Sequence, residues 1–209
     1  MKNATKYAET LRSLFRSLLK GGKPPVPARM EPLLALVRGG MSYDVCDARA
    51  DEAMRCIERE FVNLNELRVA TELEVHELLG VKYPAIEDRV EMITGCLNAI
   101  FEREHTLSLD RLKTVSKKDA RQFLQELPGI HPFVEAYVTL FAFEGLAIPV
   151  DDETLAYLRA EGVFGEKTTL EEAQRFIEHT IKAEEYYDFF ACIRRGVYTE
   201  GAKRKKGKA

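Results

Sequence analysis

Apolar residues along this chain recur at steps of three and four, and no stretch of alternating apolar and polar residues competes with them. Residues 5–20 place Leu11, Leu14, Phe15, Leu18 and Leu19 on one stripe, the pattern of a helix with one face on a core. GGKPPVP at 21–27 ends it and is the clearest linker in the sequence, because closely spaced prolines cannot join a helical ladder. EPLLALVRGG (31–40) opens a second helical segment. DARADEAMRCIEREF (47–61) sets Ala50, Met54 and Ile57 on one face and charges on the other. Residues 63–79 predict two short helices, and IEDRVEMITGCLNAIFERE (86–104) a long amphipathic one. SKKDARQFLQEL (116–127) begins with Ser116 as N-cap and Asp119 three residues on, and stops at Pro128-Gly129. FVEAYVTLFAF (133–143) is apolar almost all round, as a helix at the centre of a domain must be. Helices over 152–160, 169–182 and 184–198 complete an all-α chain of ten or eleven helices.

Composition adds little to that picture, but charge does. At 209 residues, 45% apolar and 31% charged, the chain can bury a core without disulfides or metals. No apolar run reaches the roughly 20 residues of a membrane span, and the start lacks the apolar centre of a secretion signal, so the expectation is a cytoplasmic protein with no membrane partner. Cys46, Cys56, Cys96 and Cys192 are widely spaced and read as reduced, buried, small apolar residues rather than ligands. His76, His105 and His179 fall on polar helix faces. Seven Lys or Arg and one acid give residues 1–30 a charge of +6, and residues 203–208 carry +5; with −3 for the whole chain, the middle holds −14. Such a middle offers no nucleic-acid surface by itself, whereas the two basic ends offer one if they meet.

One stretch carries chemistry. LPGIHPF (127–133) joins a polar helix to an apolar one, and Asp151 follows Val150 eighteen residues past Phe133, just before another helix. LLGV at 78–81 echoes it faintly, either as a duplicated hairpin or as a second glycine helix cap. The order from 116 to 159 resembles the helix-hairpin-helix DNA glycosylase superfamily, nearest its endonuclease III branch. That family has L-P-G-V/I-G, a lysine two positions after the second glycine, and a V-D pair at this spacing. The resemblance implies two lobes: residues 30–145 as a helical barrel bearing the hairpin, and residues 1–29 with 146–209 as a lobe built from both termini. It implies double-stranded DNA as the partner, damaged or mismatched, bound by a monomer. Gly129, Ile130 and His131 would contact phosphate, since glycine exposes backbone N–H groups and a helix start adds positive charge. GGMSYD (39–44) falls where the family wedges a residue into the gap left by a flipped base, which assigns Met41 or Tyr43 to that place, with packing in the core as the other reading of Met41. Asp151 would stabilise the cationic sugar as the glycosidic bond breaks, or serve only as an N-cap. Lys203, Arg204, Lys205 and Lys206 would join the basic N-terminus on DNA, or form a solvated tail.

The departures narrow the chemistry. Phe133 fills the lysine position, so no amine can form a Schiff base there and no abasic-site lyase activity is expected. His131 fills the second glycine position, which raises the question of a left-handed backbone carrying a side chain. Pro132 removes one N–H. RRGVYTEG (194–201) resembles the family's entry to its iron–sulfur loop, but Glu200 fills the first cysteine position and no cysteine follows, so no cluster and no other cofactor is expected. Three functions stay open: a monofunctional glycosylase using Asp151, a catalytically inactive relative that binds DNA backbone, and a helical scaffold that has left DNA.

Overall fold

A computed structural model describes residues 4–25, 27–80 and 82–206, with side chains as far as Thr199. Among the described residues there are eleven α-helices, two short 3₁₀ turns and no strand. They divide into two compact units, one spanning Arg29–Gly145 and the other made of Met1–Ala28 with Leu146–Ala209.

The Arg29–Gly145 unit contains α2 (Pro32–Ser42), α3 (Asp47–Glu60), α4 (Leu64–Val69), α5 (Glu72–Leu79), α6 (Ile86–Glu104), α7 (Lys117–Gln125) and α8 (Pro132–Phe143). Helix α2 packs most extensively on α8 and also touches α3 and α6, while α4 and α5 lie on α6 and α7 lies on α8. Local chemistry sets each start. Glu31 accepts the Leu34 amide at 2.8 Å ahead of Pro32, Ser116 accepts that of Asp119 at 3.1 Å, and Thr71 with Glu74 forms a capping box. The sequence pattern of α2 fades at Gly39-Gly40, yet the helix runs on to Ser42. A Cβ on Gly39 would stand 3.3 Å from Tyr137 and Val134 side-chain atoms, and one on Gly40 would stand 2.7 Å from Ile93 Cδ1. The glycines cost helix propensity, about 1 kcal/mol each, and in return let α2 press against α8 and α6.

Helix α8 carries one charge into this core. Glu135 accepts Arg121 Nε at 2.9 Å and Thr139 Oγ1 at 3.0 Å, which ties the two arms of the hairpin together. Burial pushes the Glu135 carboxyl above its ordinary range, and Arg121 and Thr139 pull it only part of the way back.

The other unit contains α1 (Ala4–Lys20), α9 (Asp152–Ala160), α10 (Leu170–Thr180) and α11 (Tyr186–Lys206). Helix α11 contacts α1 and α9, and α10 contacts α9. Phe15 meets Phe189 edge-on at 5.4 Å. Arg195 Nη2 donates to Leu18 O at 2.7 Å and to Gly22 O at 3.0 Å, closing the end of α1 where glycines and prolines stop it. A Cβ on Gly196 would come 2.8 Å from Tyr157 Oη, so glycine is what lets α11 reach α9.

An acid whose pKa is raised by folding binds more protons folded than unfolded, so it lowers stability as pH climbs above the ordinary carboxylate range. Glu135→Gln removes that dependence. The gain in melting temperature of the variant over the parent should therefore grow from about pH 4 toward neutrality; a difference independent of pH would contradict the account of Glu135.

Candidate functional site: the hairpin and the Asp151 carboxylate

The hairpin is a tight turn between α7 and α8. Ile130 N–H donates to Leu127 O at 3.4 Å, Pro128 takes the first corner, and Gly129 the second at φ +65°. Proline then glycine with positive φ is the type II pattern. Pro128 and Gly129 are exposed. Nothing lies within 4 Å of where a Gly129 Cβ would be, and the Gly129 N–H has no acceptor among the described residues. The turn thus presents bare backbone to solvent.

His131 does not adopt the left-handed conformation that its replacement of glycine suggested. It sits at φ −72°, ψ 137°, as the N-cap of α8, so any residue could occupy the position without strain. Its Nδ1 accepts the Phe133 amide at 3.2 Å, which places the ring proton on Nε2. Pro132 takes the first helical position, where the lost N–H would have had no helical partner. The imidazole stacks on Tyr43 at 4.3 Å and 5°, and the Arg89 guanidinium covers the Tyr43 ring at 3.6 Å. Arg89, 1% exposed, also donates to Gly40 O, Tyr43 O and Pro84 O at 2.6, 2.6 and 2.7 Å. One buried arginine therefore holds the loop after α2, and through Tyr43 that loop holds the hairpin. Burial raises the Tyr43 phenol above its ordinary pKa, partly offset by Arg89.

Met41 is 1% exposed, and its carbonyl accepts Tyr83 Oη at 2.6 Å. Because α2 continues through the two glycines, Met41 turns into the core. Tyr43 is 8% exposed, committed to its stack. Phe133, which the sequence resemblance sets at the lysine position, is fully buried between Tyr43 and Tyr137, at 6.5 and 5.9 Å between ring centroids. Lys117 reaches the Glu144 carbonyl at the end of α8.

Asp151 caps α9. Its Oδ1 accepts the Thr154 amide at 2.9 Å, and its Oδ2 pairs with Arg194 Nη1 at 3.2 Å. Asp151 is 0% and Arg194 2% exposed, with the guanidinium also over the Phe190 and Tyr198 rings. Both carboxylate oxygens are engaged, and neither meets solvent. Arg89 and Arg194 escaped the sequence reading, although each left a signal there: a single arginine on an otherwise apolar helical face, beside Ile86, Val90 and Ile93 in α6, and beside Phe190, Ile193 and Val197 in α11.

The backbone of α11 stays helical through Lys203, Arg204, Lys205 and Lys206, whose side chains lie outside the described residues. Cys96 and Cys192 are buried, but Cys46 and Cys56 are only half-buried, a correction to the reading of all four as core. Cys46, Cys56 and Cys96 lie in one unit and Cys192 in the other. Gly80, in the echo of the hairpin, has positive φ as well, but its N–H is taken by His76 O at 2.8 Å. It is a helix cap rather than a second exposed turn.

No family model matches the chain, and no curated protein matches it in sequence. Solved structures do. A trapped endonuclease III–DNA covalent intermediate superposes with a TM-score of 0.70 at 15% identity, over 90% of this chain and 85% of that one. The 8-oxoguanine glycosylase/lyase of Clostridium acetobutylicum, in complex with double-stranded DNA, gives 0.70 at 15% identity over 95% and 71%. The H. pylori 3-methyladenine DNA glycosylase MagIII, bound to 1,N6-ethenoadenine, gives 0.68 at 16% identity over 93% and 98%. The chain has the helix-hairpin-helix DNA glycosylase fold. Within that fold, the turn at 127–130 is intact as a turn, while Phe133 and Asp151 are sealed.

Removing one partner of a buried pair strands the other's charge. Arg194→Met should accordingly lower unfolding free energy by about 3–5 kcal/mol in urea titration. A loss below about 1 kcal/mol, within the range of exposed pairs, would show that Asp151 is solvated and open to substrate.

Proposed function

We propose that this protein binds the backbone of duplex DNA through the 128–131 turn and carries out no glycosidic chemistry at Asp151. The observation that carries the proposal is the contrast between the hairpin turn and the Asp151 carboxylate. The Gly129 amide has no acceptor among the described residues and sits in an exposed turn, whereas the Asp151 carboxylate is fully buried and doubly engaged. An exposed turn followed by a helix start suits a phosphate oxygen, and such a contact positions a protein on DNA without reading sequence. A carboxylate that stabilises a developing sugar cation must approach it; here Arg194 already supplies the positive partner. Phe133 has no amine, so covalent capture of C1′ and strand cleavage are excluded at that position. The DNA complexes among the structural neighbours support the choice of partner.

Duplexes each carrying one damaged or mismatched base should yield no alkali-labile sites and no borohydride-trapped adduct after incubation with the full chain, while binding remains measurable. Base release that disappears in Asp151→Asn would overturn the reading in favour of a monofunctional glycosylase. Gly129→Asn offers a further check, because asparagine tolerates positive φ yet puts a side chain in the phosphate's path. It should weaken duplex binding about tenfold, equivalent to roughly one charge-assisted hydrogen bond, with unchanged circular dichroism.

A further inference from the structure

Helix α1 buries Leu11, Phe15 and Leu18 and turns its remaining face to solvent. That face holds Lys6, Arg12, Arg16 and Lys20, with Thr5, Ser13 and Ser17 among them and Glu9 as its one acid, all exposed. Elsewhere, many exposed cations are matched by acids: Arg111 with Glu104, Lys113 with Asp110, Arg175 with Glu171. Among the described residues Lys6, Arg16 and Lys20 have no acidic partner, and Arg12 reaches only the Thr180 carbonyl, at 3.3 Å. Three cations with no acidic partner among the described residues, and Arg12 beside them, thus stand together on one helix.

We infer that the exposed face of α1 is a second phosphate-binding surface, which engages the backbone of duplex DNA; this rests on the reading of the protein as a DNA binder. Three features select a regular polyanion. Arg12, Arg16 and Lys20 follow one another at one helical turn, about 6 Å of rise each, a repeat close to the separation of neighbouring phosphates on a strand. Ser13 and Ser17 offer hydroxyl donors in the neighbouring row of the same exposed face, and hydroxyls commonly share phosphate contacts with arginine and lysine. The apolar stripe of α1 is already buried against its own unit, so the helix has nothing to insert into a lipid bilayer.

The surface also has a direction. Phe15 lies against Phe189, and Arg195 binds the Leu18 and Gly22 carbonyls, so α11 runs past the end of α1 at which Lys20 stands. The α11 backbone continues to Lys206, about 15 Å beyond Gly196.

The test is the salt dependence of duplex binding by the full chain. Each neutralised phosphate contributes about −0.9 to the slope of log K against log salt. Arg16→Gln with Lys20→Gln should make the slope shallower by about 1.8, so that affinity falls roughly tenfold less between about 50 and about 200 mM salt than in the parent. Arg16→Lys should leave the slope as it was. Gly129→Asn, which alters a neutral backbone contact, should lower affinity at every salt concentration and keep the parental slope. An unchanged slope in the double variant, with parental binding intact, would overturn the α1 surface alone. Absence of any duplex binding at low salt would overturn the proposed function and this inference with it. Loss of binding to phosphatidylserine vesicles without a change in the DNA slope would assign the stripe to membranes and overturn it as well.

Discussion

A carboxylate has two oxygens, and in Asp151 both are occupied: one by the Thr154 amide that opens α9, the other by the guanidinium of Arg194, in a place water does not reach. Most of the functional account depends on this pair. Coulomb attraction in a poorly screened interior holds the two ions together, and the desolvation each has suffered makes separation costly. An acid so held can organise the start of a helix. To act on a sugar it would first have to give up Arg194.

The hairpin lies under a different constraint. Its exposed turn needs one residue with positive φ, and glycine is there; its helix start needs an N-cap, and the His131 ring supplies it. Replacing a second glycine by histidine therefore leaves the backbone path undisturbed. What changes is the surroundings: the ring stacks on Tyr43, which Arg89 clamps through three carbonyl contacts and its own face. Backbone presentation and side-chain chemistry are separable: the Pro128-Gly129 turn is exposed, while Phe133 lies in the core.

The helices were legible because their apolar periodicity and caps are local. Ser116, Thr71 and the Pro128-Gly129 stop could all be read from a few neighbouring residues. So could the all-α architecture and the place of the hairpin. Met41 was ambiguous because the continuation of α2 through Gly39-Gly40 depends on Tyr137, Val134 and Ile93, which lie 53 to 98 positions away along the chain. Asp151 was visible as a cap and as a family position, but its partner stands 43 residues later in a different helix, and no spacing rule connects them. The burial of Arg89 and Arg194 could have been suspected from arginines on apolar faces, yet which carbonyl or carboxylate each would meet is a tertiary fact.

The central claim joins an exposed amide to a closed carboxylate, and amide-resolved NMR reports both at once. In a titration of the full chain with a duplex bearing an abasic-site analogue, the Gly129 and Ile130 amide resonances should shift progressively. Those of the Thr154 amide and the Arg194 side-chain Nε–H should stay where they are. Shifts at Thr154 and Arg194 with a silent hairpin would contradict the account, since they would place the sugar at Asp151 and the backbone elsewhere.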